Sequence, residues 1–173
     1  MPVLVSPPKA LPSFSRLGWL MGLYAENYQR MGRLFDVPAL QKGKYLSTCP
    51  QGLDLVVEVL EVHAYTLELR LSYRMSDPVT GRPDPSAYVR IYRDARQAEV
   101  THCYIGRVWQ DVLGLHPEPR VMFGHRLRMN SFLNKWLEYL SGQGHGPNTL
   151  VPMPLDEPSD KAEVGRCLSL NMA

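Results

Sequence analysis

The sequence predicts an α+β fold in which an antiparallel meander sheet of five to six strands is flanked by an N-terminal and a C-terminal helix. Three observations predict it. Two hairpins can each be closed in a register that sets aliphatic against aliphatic and opposite charges against each other. Two apolar stripes of helical period stand before and after those hairpins. Most of the fifteen prolines gather at both ends and in one internal loop, around an ordered middle. A chain of 173 residues has room for one domain with a full core. That domain is expected over residues 15–143, with residues 1–14 an irregular arm and 144–173 a mobile tail.

The first helix starts where Ser13 or Ser15 can cap it. Leu17, Leu20, Tyr24, Tyr28, Met31 and Phe35 then recur at spacings of three and four, on one stripe, with Glu26, Gln29, Arg30 and Arg33 off it. Gly18, Gly22 and Gly32 each cost about 1 kcal/mol of helix propensity relative to Ala. They predict a close approach to another element, and Pro38 closes the segment.

Cys49-Pro50-Gln51-Gly52 reads as a type I turn joining strands Tyr45–Thr48 and Leu53–Glu61. In the second of these Leu55, Val57 and Val59 alternate with Asp54 and Glu58; in the next, Leu67, Leu69, Leu71 and Tyr73 alternate with Glu68, Arg70 and Ser72. A loop of three residues, His63-Ala64-Tyr65, pairs Val59 with Leu69, Val57 with Leu71, Leu55 with Tyr73 and Glu58 with Arg70. A two-residue loop puts Glu58 opposite Leu69 and mixes the faces. After a long loop at 76–86, Ala87–Tyr92 and a strand from about Arg96 to Cys103 turn at Asp94-Ala95. That turn sets Ile91 against Ala98, Val89 against Val100 and Arg90 against Glu99.

Residues 104–124 lack a clean period, and Arg120–Phe123 reads as a short edge strand. The last helix carries Met129, Phe132, Leu133, Trp136, Leu137 and Leu140 opposite Asn130, Asn134, Lys135 and Glu138, and ends at Gly142, Gly144, Gly146 and Pro147.

Three segments carry a resemblance: Tyr24-Ala25-Glu26-Asn27-Tyr28 with Leu34, the hairpin Val89–Val100, and Asn130-Ser131-Phe132-Leu133-Asn134-Lys135-Trp136-Leu137. Together they resemble the YqiB-like family of uncharacterised bacterial proteins over about residues 15–143. Gly124-His125-Arg126 departs from the family pattern, where more acidic and lysine-rich residues are expected. The resemblance brings no activity with it. Its association with nucleotide-related genes implies a link to nucleotide biology.

A net charge of +2 is too small to argue for a nucleic acid or an anionic membrane, although residues 82–128 are locally basic and 156–166 locally acidic; no membrane partner is expected, and a nucleic-acid partner is weakly supported. Cys49, Cys103 and Cys167 lack a C-x-x-C pair, and the histidines lack metal-ligand spacing, so no disulfide scaffold, metal or cofactor is expected. Prolines break the N-terminal stretch that a signal peptide would need, and no apolar run spans a bilayer; a cytoplasmic protein is expected. His102 and Cys103, adjacent on a strand, point to opposite faces and cannot form a nucleophile–base pair with each other. Gly142-Gln143-Gly144-His145-Gly146 follows a helix, offers carbonyls in place of phosphate-binding amides, and reads as a helix stop.

The candidate surface is the second hairpin. With Val89 and Ile91 facing the core, Tyr88, Arg90 and Tyr92 line the other face, opposite Gln97, Glu99 and Thr101. An aromatic–basic–aromatic row can stack bases or aromatic ligands; alternatively it packs under a helix, with Arg90–Glu99 a structural ion pair. Asp94 and Arg96 at the turn and Asn130 on the last helix complete the candidate binding residues, while Asn27 and Asn130 are expected at the surface. The reading that follows is a non-catalytic binding or adaptor protein for a protein or nucleotide partner. A small phosphate-ester enzyme using Arg90, Arg96, Glu99 and His102 is the alternative, and a structural homodimer a further one.

Overall fold

Side-chain parity organises the structure, a computed structural model that describes residues 15–50, 52–75, 85–104 and 117–154. Strands β1 (Gly43–Ser47), β2 (Leu55–Val62), β3 (Thr66–Tyr73), β4 (Ser86–Tyr92), β5 (Gln97–Tyr104) and β6 (Leu150–Pro152) form one antiparallel sheet, ordered β5-β4-β3-β2-β1-β6. Leu55, Val57, Val59, Leu67, Leu69, Leu71, Ala87, Val89, Ile91, Ala98 and Val100 turn one way and are buried. Each large aliphatic among them contributes roughly 1.5–3 kcal/mol by leaving water. The two helices, α1 (Arg16–Phe35) and α2 (Pro119–Gly142), supply Met31, Leu34, Phe35, Leu133, Trp136, Leu137 and Leu140 to the same core. The fold is thus α+β, with an N-terminal and a C-terminal helix beside an open sheet.

Both hairpin registers expected from parity are present. Val59, Val57, Leu55 and Glu58 face Leu69, Leu71, Tyr73 and Arg70, and Ile91, Val89 and Arg90 face Ala98, Val100 and Glu99. Each hairpin also carries a bulge. Leu60 is the extra residue of β2, so that Glu61 opposes Glu68; Thr101 is the extra residue of β5, so that His102, in place of Thr101, stands opposite Tyr88. The Cys49–Gly52 turn closes with a bond from the Gly52 amide to the Cys49 carbonyl (3.4 Å).

Other expectations are corrected. Arg120–Phe123 is no strand: Pro119 stands at the first position of α2, where its missing N–H costs nothing, and the helix runs on from there. Residues 150–152, expected in a mobile tail, form β6 by pairing with Ser47, Leu46 and Tyr45. The buried face of α1 is Leu20, Leu23, Tyr24, Asn27, Met31, Leu34 and Phe35, while Leu17 is 58% exposed. Nor do the glycines mark a close approach. Among the described residues, a Cβ at Gly22 or Gly32 would meet nothing within 4 Å, and one at Gly18 would meet only the capping Ser15 hydroxyl at 3.4 Å. The expected arm at 1–14, most of the 76–86 loop and the tail beyond 154 lie outside the described residues. No helix among the described residues is long and apolar enough to cross a membrane.

Candidate functional site

The sheet face turned away from the helices carries two rows of polar side chains aligned by register. One row runs Lys44, Glu58, Arg70, Tyr88, His102 across β1 to β5, and the next runs Glu61, Glu68, Arg90, Glu99 across β2 to β5. Neighbours along each row neutralise one another. Glu58 holds Arg70 and lies 3.7 Å from Lys44, and the Arg90 guanidinium donates to Glu68 at 2.7 and 2.8 Å. The Arg70 guanidinium lies 6.0 Å from the Tyr88 ring centre, and Tyr88 meets His102 edge-on at 6.1 Å. The Glu61–Glu68 apposition is relieved because Glu61 turns to His63 (3.0 Å) while Glu68 serves Arg90.

The structure therefore joins some candidate residues and separates others. Tyr92 donates to Glu99 (2.7 Å), and Arg126 of α2 reaches the other Glu99 oxygen at 3.5 Å. Burial raises the pKa of Tyr92, as does its bond to Glu99. Arg90, whose pKa is raised first by Tyr92 and then by Glu68, pairs with Glu68; the Arg90–Glu99 ion pair is replaced by Glu99 bonding to Tyr92 and Arg126. Asp94 caps its own turn, accepting from the Ala95 amide at 2.8 Å, and Arg96 sits exposed beside it at φ 52°.

Asn130 belongs elsewhere, and it is not a surface residue. Asn27 and Asn130 are both 0% exposed. Both helices approach β5 closely. There the Asn130 Oδ1 accepts the Val100 amide at 3.0 Å, at the outer edge of the sheet. Its Nδ2 donates to the Arg126 carbonyl (2.9 Å), Asn27 Nδ2 reaches Asn130 at 3.4–3.5 Å, and Asn134 Nδ2 donates to Asn27 Oδ1 (3.2 Å). Asn27, Asn130 and Asn134 form a buried amide cluster that ties α1 to α2 and both to the edge strand.

A second group of polar side chains escaped the sequence reading. The glycine stop of α2 is a Schellman motif: Gly144, at φ +93°, sends its amide to the Ser141 carbonyl, and the His145 amide reaches back to the Leu140 carbonyl, both at 3.1 Å. That reversal carries His145 into the protein, where it is 5% exposed. Its Nδ1 lies 2.7 Å from the Ser47 hydroxyl, and its Nε2 lies 3.2 Å from the Cys49 thiol. Ser47 in turn lies 2.7 Å from the Thr149 hydroxyl. Burial holds the His145 pKa below the usual histidine value, against the smaller opposing effects of the Leu53 carbonyl and Asp54. Cys49 and His145 were each visible as turn and stop residues, but nothing in their spacing joins them.

A family model described as a protein of unknown function (DUF1249) matches residues 30–146. The chain belongs to that family. The DUF1249 match takes in β1 to β5, α2, and both Cys49 and His145; it leaves out Asn27 and Thr149. No curated protein and no solved structure matches the chain.

Proposed function

We propose that the chain is a non-catalytic binding protein whose polar sheet face docks a protein partner, with Arg90 and Tyr92 at the centre of the contact. One observation carries this reading: the face opposite the helices presents cross-strand rows of partly exposed charges, each already holding its counter-charge. The side chains of Arg90, Glu68 and Arg70 are 42%, 34% and 26% exposed. Such a face has little net field. An anionic nucleic acid, which binds by displacing counterions from unneutralised cations, would have to compete with Glu58 and Glu68. A protein surface of matching polarity would not, and Arg and Tyr are the side chains most enriched at interface centres. Strands about 4.8 Å apart and residues about 3.3 Å apart give a face of roughly 25 by 20 Å. That is the size of a transient contact. A cytoplasmic location and membership of the YqiB-like group within the family are part of the same proposal; the group rests on the three segments quoted above.

The test is affinity. A partner obtained by co-purification and then titrated calorimetrically against the purified chain should lose at least tenfold in affinity with Arg90→Ala and with Tyr92→Ala. A partner indifferent to both variants sinks the reading. The Arg70 guanidinium over Tyr88 favours one rival, a nucleotide stacked on this face. Thermal stabilisation by AMP, ATP or cyclic AMP that disappears in Arg70→Ala would replace the protein partner with a nucleotide. Turnover of a phosphate ester lost in Glu99→Gln would make the chain an enzyme. A stable dimer by light scattering, broken by Arg90→Ala, would make the partner a second copy.

A further inference from the structure

The hydrogen bonds around His145 fix where its proton sits. Thr149 Oγ1 lies 2.8 Å from the Gly146 carbonyl, which can only accept, so the one Thr149 hydroxyl proton is spent there. Thr149 therefore accepts from Ser47 at 2.7 Å, and the single Ser47 proton is spent in turn. Ser47 must then accept from His145 Nδ1, 2.7 Å away. With Nδ1 protonated and the ring neutral, the free lone pair belongs to Nε2. That lone pair faces the Cys49 sulfur at 3.2 Å.

A base, its orienting hydroxyl and a thiol are thus held in one line by elements far apart in the chain. Ser47 ends β1, Cys49 opens the turn, His145 follows the stop of α2, and Thr149 precedes β6. This is the arrangement that activates a cysteine: a neutral imidazole within reach of the thiol, its tautomer set by a third group. Gly52 packs directly against the sulfur, with Gln143 beside it. A Cβ at Gly52 would lie 2.5 Å from Sγ and 3.3 Å from the Gln143 Oε1. Cys49 is 9% and Ser47 1% exposed, so only a small electrophile could reach the sulfur.

We propose that Cys49 is a nucleophilic thiol served by His145 as base, with Ser47 as positioning residue, and that it reacts with small hydroperoxides. The thiol proton passes to Nε2. The sulfur then attacks the nearer peroxide oxygen; an S–O bond forms and the O–O bond breaks. The departing hydroxide or alkoxide takes the proton back from the imidazolium and leaves as water or alcohol. Sulfur is oxidised by two electrons to the sulfenic acid, and the peroxide is reduced by two. The site is separate from the polar sheet face and stands whether or not that face binds a partner.

The experiment exposes the reduced full-length chain to hydrogen peroxide at neutral pH, traps sulfenic acid with a cyclic 1,3-dione, and follows the Cys49 peptide by mass spectrometry. Cys49 of the folded chain should react at least tenfold faster than the same residue in urea. His145→Gln, with native circular dichroism, should remove that advantage. Ser47→Ala should lower the rate several-fold and shift its pH profile, which loss of packing alone does not do. A folded Cys49 no faster than the unfolded one overturns the proposal even if His145→Gln does not fold. So does an unchanged rate in a folded His145→Gln.

Discussion

Replacing Asn130 by Ala tests whether the amide cluster secures the edge of the sheet. The substitution removes the acceptor of the Val100 amide, and that donor stays buried, closed off by both helices. An unsatisfied buried N–H costs about 1–3 kcal/mol. The shortened side chain also leaves a void of roughly 40 Å³, worth about 1 kcal/mol at ~24 cal/mol per Å³. The longer contacts from Asn27, at 3.4–3.5 Å, add little, because one of them goes to the Asn130 carbonyl and survives. The sum is roughly 2–4 kcal/mol, a large share of the ~5–15 kcal/mol that holds a typical domain folded. Urea unfolding followed by circular dichroism should show the midpoint falling by roughly 1–2 M with the slope unchanged. Hydrogen exchange should show the Val100 amide losing protection, and Lys135→Ala, at an exposed position on the same helix, should change neither. A stability for Asn130→Ala within about 0.5 kcal/mol of the parent would refute the reasoning, since only a solvated asparagine is so cheaply lost.

Three further outcomes follow from the same geometry. Nothing among the described residues lies within 4 Å of a Cβ at Gly22 or Gly32 on α1, so Gly22→Ala and Gly32→Ala should each raise stability by about 0.5–1 kcal/mol and increase Tm. A lower Tm would mean that something packs on that face. Gly52→Ala drives a methyl to 2.5 Å from the Cys49 sulfur and should destabilise by roughly 1–3 kcal/mol. Adding Cys49→Ala should recover most of that loss, and no recovery would place the strain in the backbone. Finally, His145 and His125 both have pKa values lowered by burial. The unfolded chain therefore takes up protons below about pH 6.5 that the folded chain refuses, so stability should fall as pH drops through that value. His145→Gln should flatten the fall in urea titrations at pH 7.5 and 5.5; an equal slope in both proteins would show that His145 is readily protonated in the folded state.

The fold was legible where periodicity is strong. Alternation through Leu55–Val59, Leu67–Leu71 and Val89–Ile91 leaves one register that keeps Leu55, Val57, Val59, Leu67, Leu69, Leu71, Val89 and Ile91 inside, so both hairpins could be read from residues alone. The bulges at Leu60 and Thr101 could not, because an inserted residue leaves no compositional mark; Thr101 was therefore set across from the Tyr88 row where His102 stands. Asparagine on a helix usually means solvent, and only the crossing of α1 and α2 against β5 shows that Asn27 and Asn130 are inside. Arg120–Phe123 looked like a strand because its short apolar run fits either period, and Pro119 decided for the helix. The Cys49–His145 pair, 96 residues apart in sequence, depends on a glycine reversal and on the pairing of β6, two tertiary events without local pattern.

The Asn130 amide has one more effect. An uncovered outer strand invites another chain to add itself by main-chain pairing. At β5 that invitation is withdrawn by a side chain filling the slot where a newcomer's carbonyl would dock. At the far end β6 offers only three residues, one of them Pro152. Growth of the sheet into fibres is thus discouraged at one border by occupation and at the other by brevity.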